Sequence, residues 1–158
     1  MAIVNMGAWV ANNATVVGDV ILGEDVSIWY GAVLRGDCGT ITVGDGSNIQ
    51  DNCVVHEHTT IGKRCTVGHG AIVHGCTIGD RCMVGMGAMV LTGAVIGDDC
   101  LIGAGAVVTG KMNAPAGSVL LGSPAKIVKE ITPQMREEIR LDGELYIRLA
   151  KSQLNKEV

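Results

Sequence analysis

All four histidines in this chain fall between residues 43 and 75, and three of them have spacings that could build a metal site. His56 and His74 are 18 residues apart, and His69 lies five residues before His74. Imidazole nitrogens are common zinc ligands, and a tetrahedral site with three protein ligands keeps its fourth position for water. This pattern predicts metal-assisted chemistry, provided that the fold brings the three rings together.

An aliphatic residue recurs at every sixth position through the same stretch. The series is Val43, Ile49, Val55, Ile61, Val67 and Val73. A period of six fits neither a helix nor a single flat strand, and is typical of a β-solenoid whose short strands wind into coils. If three hexapeptides make one triangular coil, residues 18 apart stack, with adjacent coils about 4.8 Å apart. His56 and His74 each follow an inward aliphatic residue, so we expect both rings to point outward and to meet.

His69 occupies a different place in the repeat, two residues after Val67. At about 3.3 Å per residue, the five steps from His69 to His74 are too long for both side chains to bind one ion. A third ligand from His69 must therefore come from another subunit, which predicts an oligomer.

The repeat continues in both directions, with two irregularities. It runs upstream through Val10, Val16, Leu22, Ile28 and Leu34, and downstream through Ile78, Val84, Val90, Ile96, Ile102 and Val108. This series predicts five to six coils. Three additional residues separate Leu34 from Val43, and one residue is missing between Val73 and Ile78. After the first irregularity is allowed for, Arg35 falls in the outward column of His56, one coil earlier.

Composition and charge limit the classes of protein that this chain can belong to. The 158 residues allow one domain, and 47% hydrophobic residues with a mean hydropathy of +0.35 exclude a disordered chain. A net charge of −4 and a pI near 5.5 do not indicate the basic surface that nucleic-acid-binding proteins have. No apolar run reaches membrane-spanning length, and no signal peptide pattern is present. We expect a soluble, cytoplasmic protein that binds neither nucleic acid nor membrane.

Five of the six cysteines lie two residues before an aliphatic position of the repeat. They are Cys53, Cys65, Cys76, Cys82 and Cys100. This spacing places them on the inward face, where a free cysteine behaves as a small hydrophobic residue. Cys38 falls outside the repeat, and its role stays open.

The C-terminal part of the sequence predicts a helical segment. The repeat fades after Val108, so we assign residues 1–128 to the solenoid with its C-terminal connection and residues 129–158 to a helical segment. Thr132 before Pro133 predicts a helix start, and Asp142-Gly143 predicts a break. A second helical segment follows, and it places Leu145, Leu149 and, more loosely, Leu154 on one face that we expect to pack along a solenoid.

Four motifs resemble those of the γ-class carbonic anhydrase family. They are SIWYGAVLRGD at 27–37, NIQDNCVVH at 48–56, VGHGAIVHG at 67–75 and LLGSPAKIV at 120–128. Hexapeptide acyltransferases share the six-residue repeat, but the Arg-Gly-Asp, Gln-Asp-x4-His and His-x4-His elements in this order are much more specific. The resemblance implies an all-β fold, a left-handed parallel β-helix with a C-terminal α-helical segment, and assembly as a homotrimer.

The resemblance also implies roles for individual residues. His56 and His74 of one subunit and His69 of the next would bind zinc, with iron or cobalt as alternative metals. Arg35 would hold bicarbonate while pairing with Asp37 or Asp51. Two further residues complete the implied site: Gln50 would hydrogen-bond the metal-bound water or the substrate, and Tyr146 would lie near the metal.

The function that this resemblance implies is the reversible hydration of carbon dioxide to bicarbonate by a zinc-bound hydroxide at trimer interfaces. Cys38 stands where well-known members carry a glutamate, and only EHTT follows His56 where they have a longer acidic loop. Proton transfer is therefore expected to be slow or to use Glu57 or His58.

Other interpretations stay open at this point. A CoA-dependent acyltransferase or thioesterase could use the same solenoid, and the protein could be a non-catalytic, metal-binding scaffold. At the level of single residues, Arg35 and Asp37 could form an interface salt bridge without a catalytic role. Gln50 could simply hydrogen-bond to unpaired backbone groups at the edge of a coil.

Overall fold

The computed structural model describes residues 2–154, which form a left-handed parallel β-helix followed by one α-helix. The strands are β1 (Ile3–Val4), β2 (Trp9–Val10), β3 (Thr15–Leu22), β4 (Ser27–Ile28), β5 (Val33–Val43), β6 (Asn48–Ile49), β7 (Val54–His56), β8 (Thr59–Ile61), β9 (Thr66–Val67), β10 (Ile72–His74), β11 (Thr77–Ile78), β12 (Met83–Val84), β13 (Met89–Val90), β14 (Val95–Ile96), β15 (Leu101–Ile102), β16 (Val107–Val108), β17 (Asn113–Ala114), β18 (Ser118–Gly122) and β19 (Ala125–Glu130), and the helix is α1 (Pro133–Leu154). The predicted fold class is confirmed.

Within residues 2–154 the coils stack in parallel and number about seven. One sheet contains a strand from each coil, namely β2, β4, β6, β9, β12, β15 and β18, and β19 then pairs antiparallel with β18. The expectation of five to six coils was wrong, because the repeat continues past Val108 through the buried Ala114 and Leu120. Alanine is too small to stand out as an aliphatic position, so the sixfold series could not be followed through it.

The interior is a continuous column of small aliphatic side chains. The repeat positions from Val43 to Val73 are at most 1% exposed. The five cysteines predicted to point inward are buried and free, whereas Cys38 is exposed. Burial raises the pKa of the Cys53 thiol to about 11 and that of Cys76 to about 12, so both thiols stay protonated.

The three additional residues before Val43 stay within strand β5 as an outward bulge. Gly18 pairs with Gly36, but Val20 pairs with Ile41, so the register shifts between these two contacts. Before the shift, Arg35 pairs with His56, as the outward column predicted. The bulge leaves Asp37 and Cys38 exposed beside that column.

Helix α1 begins as predicted but does not break. The Thr132 hydroxyl accepts the backbone N–H of Met135 at 3.1 Å, and Pro133 is the first helical residue. The predicted break at Asp142-Gly143 is wrong, because the helix continues to Leu154. Strand β19 ends at Glu130, two residues beyond the predicted boundary. Residues 155–158 lie outside the described residues.

The face of α1 that packs on the solenoid differs from the predicted one. Ile139 and Ala150 are buried, whereas Leu145 is 42% and Leu149 is 39% exposed. These two leucines therefore do not pack closely on the solenoid of their own chain, their packing on a neighbour's solenoid stays a prediction, and the side chain of Leu154 lies outside the described residues. A continuous helix places residues four apart on one stripe, and packing selected the stripe that contains Ile139 and Gly143.

Within residues 2–154, no helix has the length and apolar character needed to cross a membrane.

Replacing Gly143 by alanine should stabilise the protein. Glycine inside a helix costs roughly 0.5–1 kcal/mol relative to alanine, and a Cβ at residue 143 would meet no atom outside its own helix within 4 Å. We expect Gly143→Ala to raise the free energy of unfolding by about 0.5–1 kcal/mol, measured by urea denaturation of metal-free protein at fixed concentration.

Gly85→Ala is the matched control, because its Cβ would lie 2.5 Å from the backbone nitrogen of Ala104. That variant should lose stability. A destabilised Gly143→Ala variant would show that another surface occupies the space beside this glycine.

Candidate metal centre

His56 and His74 stack on adjacent coils, as the 18-residue spacing predicted. Strands β7 and β10 pair in parallel with His56 opposite His74. The ring centroids are 5.1 Å apart, and Nδ1 of His56 lies 3.2 Å from Nε2 of His74. A tetrahedral zinc ion with Zn–N bonds of 2.0–2.1 Å holds two nitrogens about 3.3–3.4 Å apart. The two rings therefore fit two ligand positions of one such ion with very little movement.

Asp37 and Arg35 determine which nitrogen of His56 is available. Nε2 of His56 lies 3.0 Å from Oδ1 of Asp37, whose other oxygen accepts a hydrogen bond from Arg35. The hydrogen bond from Arg35, with a smaller contribution from His56, lowers the pKa of Asp37 to about 2. An ionised carboxylate only accepts, so Nε2 carries the proton and Nδ1 keeps its lone pair toward His74. Arg35 thus pairs with Asp37 rather than with Asp51 within the chain.

Thr92 and Glu57 determine which ring nitrogen of His74 is available for a metal ion. Nδ1 of His74 lies 2.9 Å from Oγ1 of Thr92, whose hydroxyl donates to Oε2 of Glu57 at 3.3 Å. Nδ1 therefore donates to Thr92, and Nε2 keeps its lone pair toward His56. A Cβ at Gly75 would meet Oγ1 of Thr92 at 2.7 Å and Oε2 of Glu57 at 2.8 Å, so only glycine admits this approach. The sequence analysis missed Thr92, although it lies 18 residues after His74.

Asp51 and Gln50 hold His69 at the neighbouring corner of the coil. Nδ1 of His69 lies 2.9 Å from Oδ2 of Asp51, so the ring donates there and leaves Nε2 free. The backbone N–H of His69 donates to Oε1 of Gln50 at 3.2 Å. Among residues 2–154, the one group of three metal-binding side chains whose ligand atoms lie within 4.8 Å of one another is Asp37, Cys38 and His56. His69 therefore does not complete a site with the His56–His74 pair of its own chain.

Gln50 and Tyr146 line a shared recess of about 280 Å³ next to His69. Gln50 is 4% exposed, and its amide nitrogen donates to Oδ1 of Asn48 at 3.2 Å. Tyr146 comes from α1 and packs edge-on against Trp29, with ring centroids 5.2 Å apart. Burial, with the negative charges of Asp142 and Asp51 nearby, raises the pKa of the Tyr146 phenol. The structure thus places Tyr146 at the His69 end of the site.

A larger recess of about 340 Å³ lies beneath α1, and its lining includes none of the predicted site residues. Arg81, Arg136 and Arg140 line it, but they pair with acidic residues of the same recess. Its charge is therefore largely neutralised, and the histidines remain the centre of the chemistry.

Comparisons with known proteins identify the family to which the repeat belongs. The family model "Bacterial transferase hexapeptide (six repeats)" matches residues 40–75 and 75–110. The chain is 42% identical to "Gamma carbonic anhydrase 2, mitochondrial" of Arabidopsis thaliana, over 94% of this chain and 57% of that relative. It is also 42% identical to "Probable carbonic anhydrase" of Methanocaldococcus jannaschii, over 90% of this chain and 92% of that protein.

A solved structure shares the fold. The crystal structure of a hexapeptide transferase family protein from Anaplasma phagocytophilum superimposes with a TM-score of 0.93 and 41% identity, covering 96% of this chain and 92% of that one. The chain spans little more than half the length of the Arabidopsis relative, and nearly the whole of the M. jannaschii protein.

Removing the hydroxyl that orients His74 should weaken metal binding. In Thr92→Val the ring loses its hydrogen-bond acceptor at nearly constant volume, and loss of such outer contacts typically costs 10–100-fold in metal affinity. We expect a zinc affinity lower by about 10–100-fold, measured by competition with a chromophoric chelator. Thr109→Val, an exposed threonine one coil further on, is the control and should bind zinc like the wild type. Equal affinities in the two variants would contradict the role of Thr92.

Proposed function

This chain belongs to the γ-class carbonic anhydrase family of hexapeptide-repeat proteins, and from that premise we propose that it catalyses the reversible hydration of carbon dioxide to bicarbonate. The active site would form at each interface of a homotrimer, with zinc held by His56 and His74 of one subunit and His69 of the next. Iron and cobalt accept the same imidazole ligands. A cytoplasmic location stays a prediction.

One observation carries the proposal: each of the three candidate ligand histidines has one ring nitrogen held by an oxygen atom, which leaves a lone pair on the other nitrogen. The oxygen belongs to Asp37 for His56, to Thr92 for His74 and to Asp51 for His69. Metal-binding histidines almost always show this arrangement, because the outer hydrogen bond selects the tautomer and orients the ring. Solvated surface histidines have no need of it.

The metal supplies one piece of chemistry: bound zinc lowers the pKa of its water from 15.7 to about 7, which provides hydroxide at neutral pH. A three-histidine set carries no charge, so the ligands themselves neutralise none of the charge of the ion.

Arg35 is suited to hold the anionic product. Its side chain is 47% exposed, and one of its nitrogens is taken by Asp37. The remaining donors of the guanidinium fork match the two oxygens of a bicarbonate ion. Asp37 fixes both Arg35 and His56, which ties the anion-binding group to the metal ligand.

Gln50 and Asp51 support a positioning role toward His69. Oε1 of Gln50 accepts the backbone N–H of His69, and Asp51 accepts the ring N–H. Since adjacent residues hold both the backbone and the ring, His69 is presented in a fixed orientation to a neighbouring subunit. Tyr146 would then form a wall of the site beside it.

Glu57, which lies beside His74, would accept the proton released at the site and pass it to solvent. Glu57 lies 3.6 Å from Nδ1 of His74 and accepts from Thr92. Glu57 is partly exposed, so it can exchange a proton with solvent. Cys38 stands where well-known members of the family carry a glutamate, and of the two expected substitutes, Glu57 and His58, we assign this step to Glu57 because it contacts Thr92.

Carbon dioxide hydration should therefore require zinc and depend on buffer. Transfer by a positioned acid or base contributes typically 10²–10⁴-fold, so a site with one shuttle group is sensitive to its loss. We expect the hydration rate, followed by stopped flow with a pH indicator, to scale with measured zinc content and to rise with imidazole buffer. Glu57→Gln should steepen the buffer dependence, with Glu24→Gln as a control at an exposed glutamate.

Turnover that is fast and indifferent to buffer in both variants would refute the assignment of Glu57. A zinc-loaded trimer that is inactive even with abundant buffer would instead favour a scaffold. Thioester turnover without metal would favour the acyltransferase or thioesterase alternative. Against that alternative, the additional residues before Val43 stay within strand β5 and form no long substrate loop.

Complementation tests the division of the site between subunits. Chains carrying His69→Ala and chains carrying His56→Ala, both with Cys38→Ser to remove the exposed Cys38 thiol as a ligand, would be mixed, unfolded and refolded, with trimers verified by sedimentation against three times 16.4 kDa. Each parent has no intact site, but every mixed cyclic trimer has one, so an equal mixture should regain about a quarter of the wild-type zinc. Zinc content no higher than in the parents would place all the ligands in one chain.

A further inference from the structure

A second set of metal-binding side chains lies beside the histidine pair, within one chain. Asp37, Cys38 and His56 each offer one ligand atom, and the three atoms lie within 4.8 Å of one another. Oδ1 of Asp37 and Nε2 of His56 are 3.0 Å apart. Cys38 is exposed, whereas the other five cysteines are buried. This set therefore has one of each donor type: oxygen, nitrogen and sulfur.

The bulge of β5 creates this arrangement. The register shift between the Gly18–Gly36 and Val20–Ile41 contacts accommodates the additional residues. Before the shift, Arg35 is paired with His56, so Asp37 follows two residues later beside the same ring. Two of the donors are held by ladder pairing and a hydrogen bond, and only the exposed Cys38 side chain has to turn toward the other two.

The three ligand atoms lie close enough to converge on a tetrahedral cation after a small movement of the Cys38 side chain. Zn–S bonds of about 2.3 Å and Zn–N bonds of about 2.0–2.1 Å place sulfur and nitrogen about 3.6 Å apart. A thiolate and the Asp37 carboxylate bring two negative charges, and Arg35 beside Asp37 offsets one of them. Thiolate ligands favour zinc over hard cations such as magnesium and calcium.

We propose that Asp37, Cys38 and His56 form a second cation site within a single subunit, which takes a thiolate-binding divalent ion such as Zn²⁺. On binding, the Cys38 thiol gives its proton to solvent, and His56 binds through Nε2 with its remaining proton on Nδ1. That tautomer cannot also bind an ion shared with His74. The two sites therefore exclude each other, and His56 is the residue that they share.

This site goes beyond the proposed activity and does not depend on it. Cobalt(II) alone is the probe, because its bonds to thiolate give an intense near-ultraviolet charge-transfer band that cobalt–imidazole bonds do not give. The titration uses His69→Ala protein, in which the three-histidine set is lost and the Cys38 set is intact. We expect a charge-transfer band that saturates at one cobalt per chain. Cys38→Ser in the same background should abolish it, and Cys76→Ala, at a buried cysteine, should leave it unchanged.

The outcomes separate this proposal from the catalytic one. Absence of the band in His69→Ala protein, or its persistence in Cys38→Ser, would overturn the second site. Cys38→Ser with intact histidines should still bind cobalt without the charge-transfer band. Failure of carbon dioxide hydration with the band present would leave the second site standing.

Discussion

The hydrogen-bond ladder between successive coils is the constraint on which the rest of this structure depends. It holds Arg35, His56 and His74 in one outward column on adjacent coils. Side chains alternate along a strand, so a slip of one residue would turn the whole column inward and expose the aliphatic core. Burial of that core therefore fixes the register, and the register fixes the separation of the imidazoles. The metal-binding geometry thus depends on the same free energy that stabilises the solenoid.

Carboxylates next to the three histidines determine how the rings are oriented and how much negative charge surrounds them. Each of the three histidines lies within 3.6 Å of one carboxylate, from Asp37, Asp51 or Glu57. Asp37 and Asp51 directly, and Glu57 through Thr92, select which nitrogen of each ring carries the proton, and the other three nitrogens keep their lone pairs for a cation. Their negative charges also offset part of the charge that a cation brings to an uncharged ligand set. Asp37 has a double role because it holds both His56 and Arg35.

The departures from strict repetition create the chemically distinct positions. The bulge in β5 brings Asp37 and Cys38 beside His56, and a regular hexapeptide would have no residues there. The repeat is one residue short at the coil corner that contains Gly75, and there Thr92 and Glu57 approach His74. Helix α1 carries Tyr146 back to the recess beside His69, so distant parts of the chain converge on the site.

The sequence alone determined the solenoid, its inward face and the stacking of His56 on His74, because a six-residue period is a local signal repeated many times. The six-residue series could not be followed at Ala114, because its small side chain does not stand out as an aliphatic position. Gly143 predicted a break in the helix, but α1 continues through it. Only the tertiary structure decided that Asp51 orients His69, that Thr92 orients His74 and that Cys38 approaches His56. Those contacts depend on side-chain torsions, which no spacing along the chain encodes, and on the place within β5 where the three additional residues are accommodated.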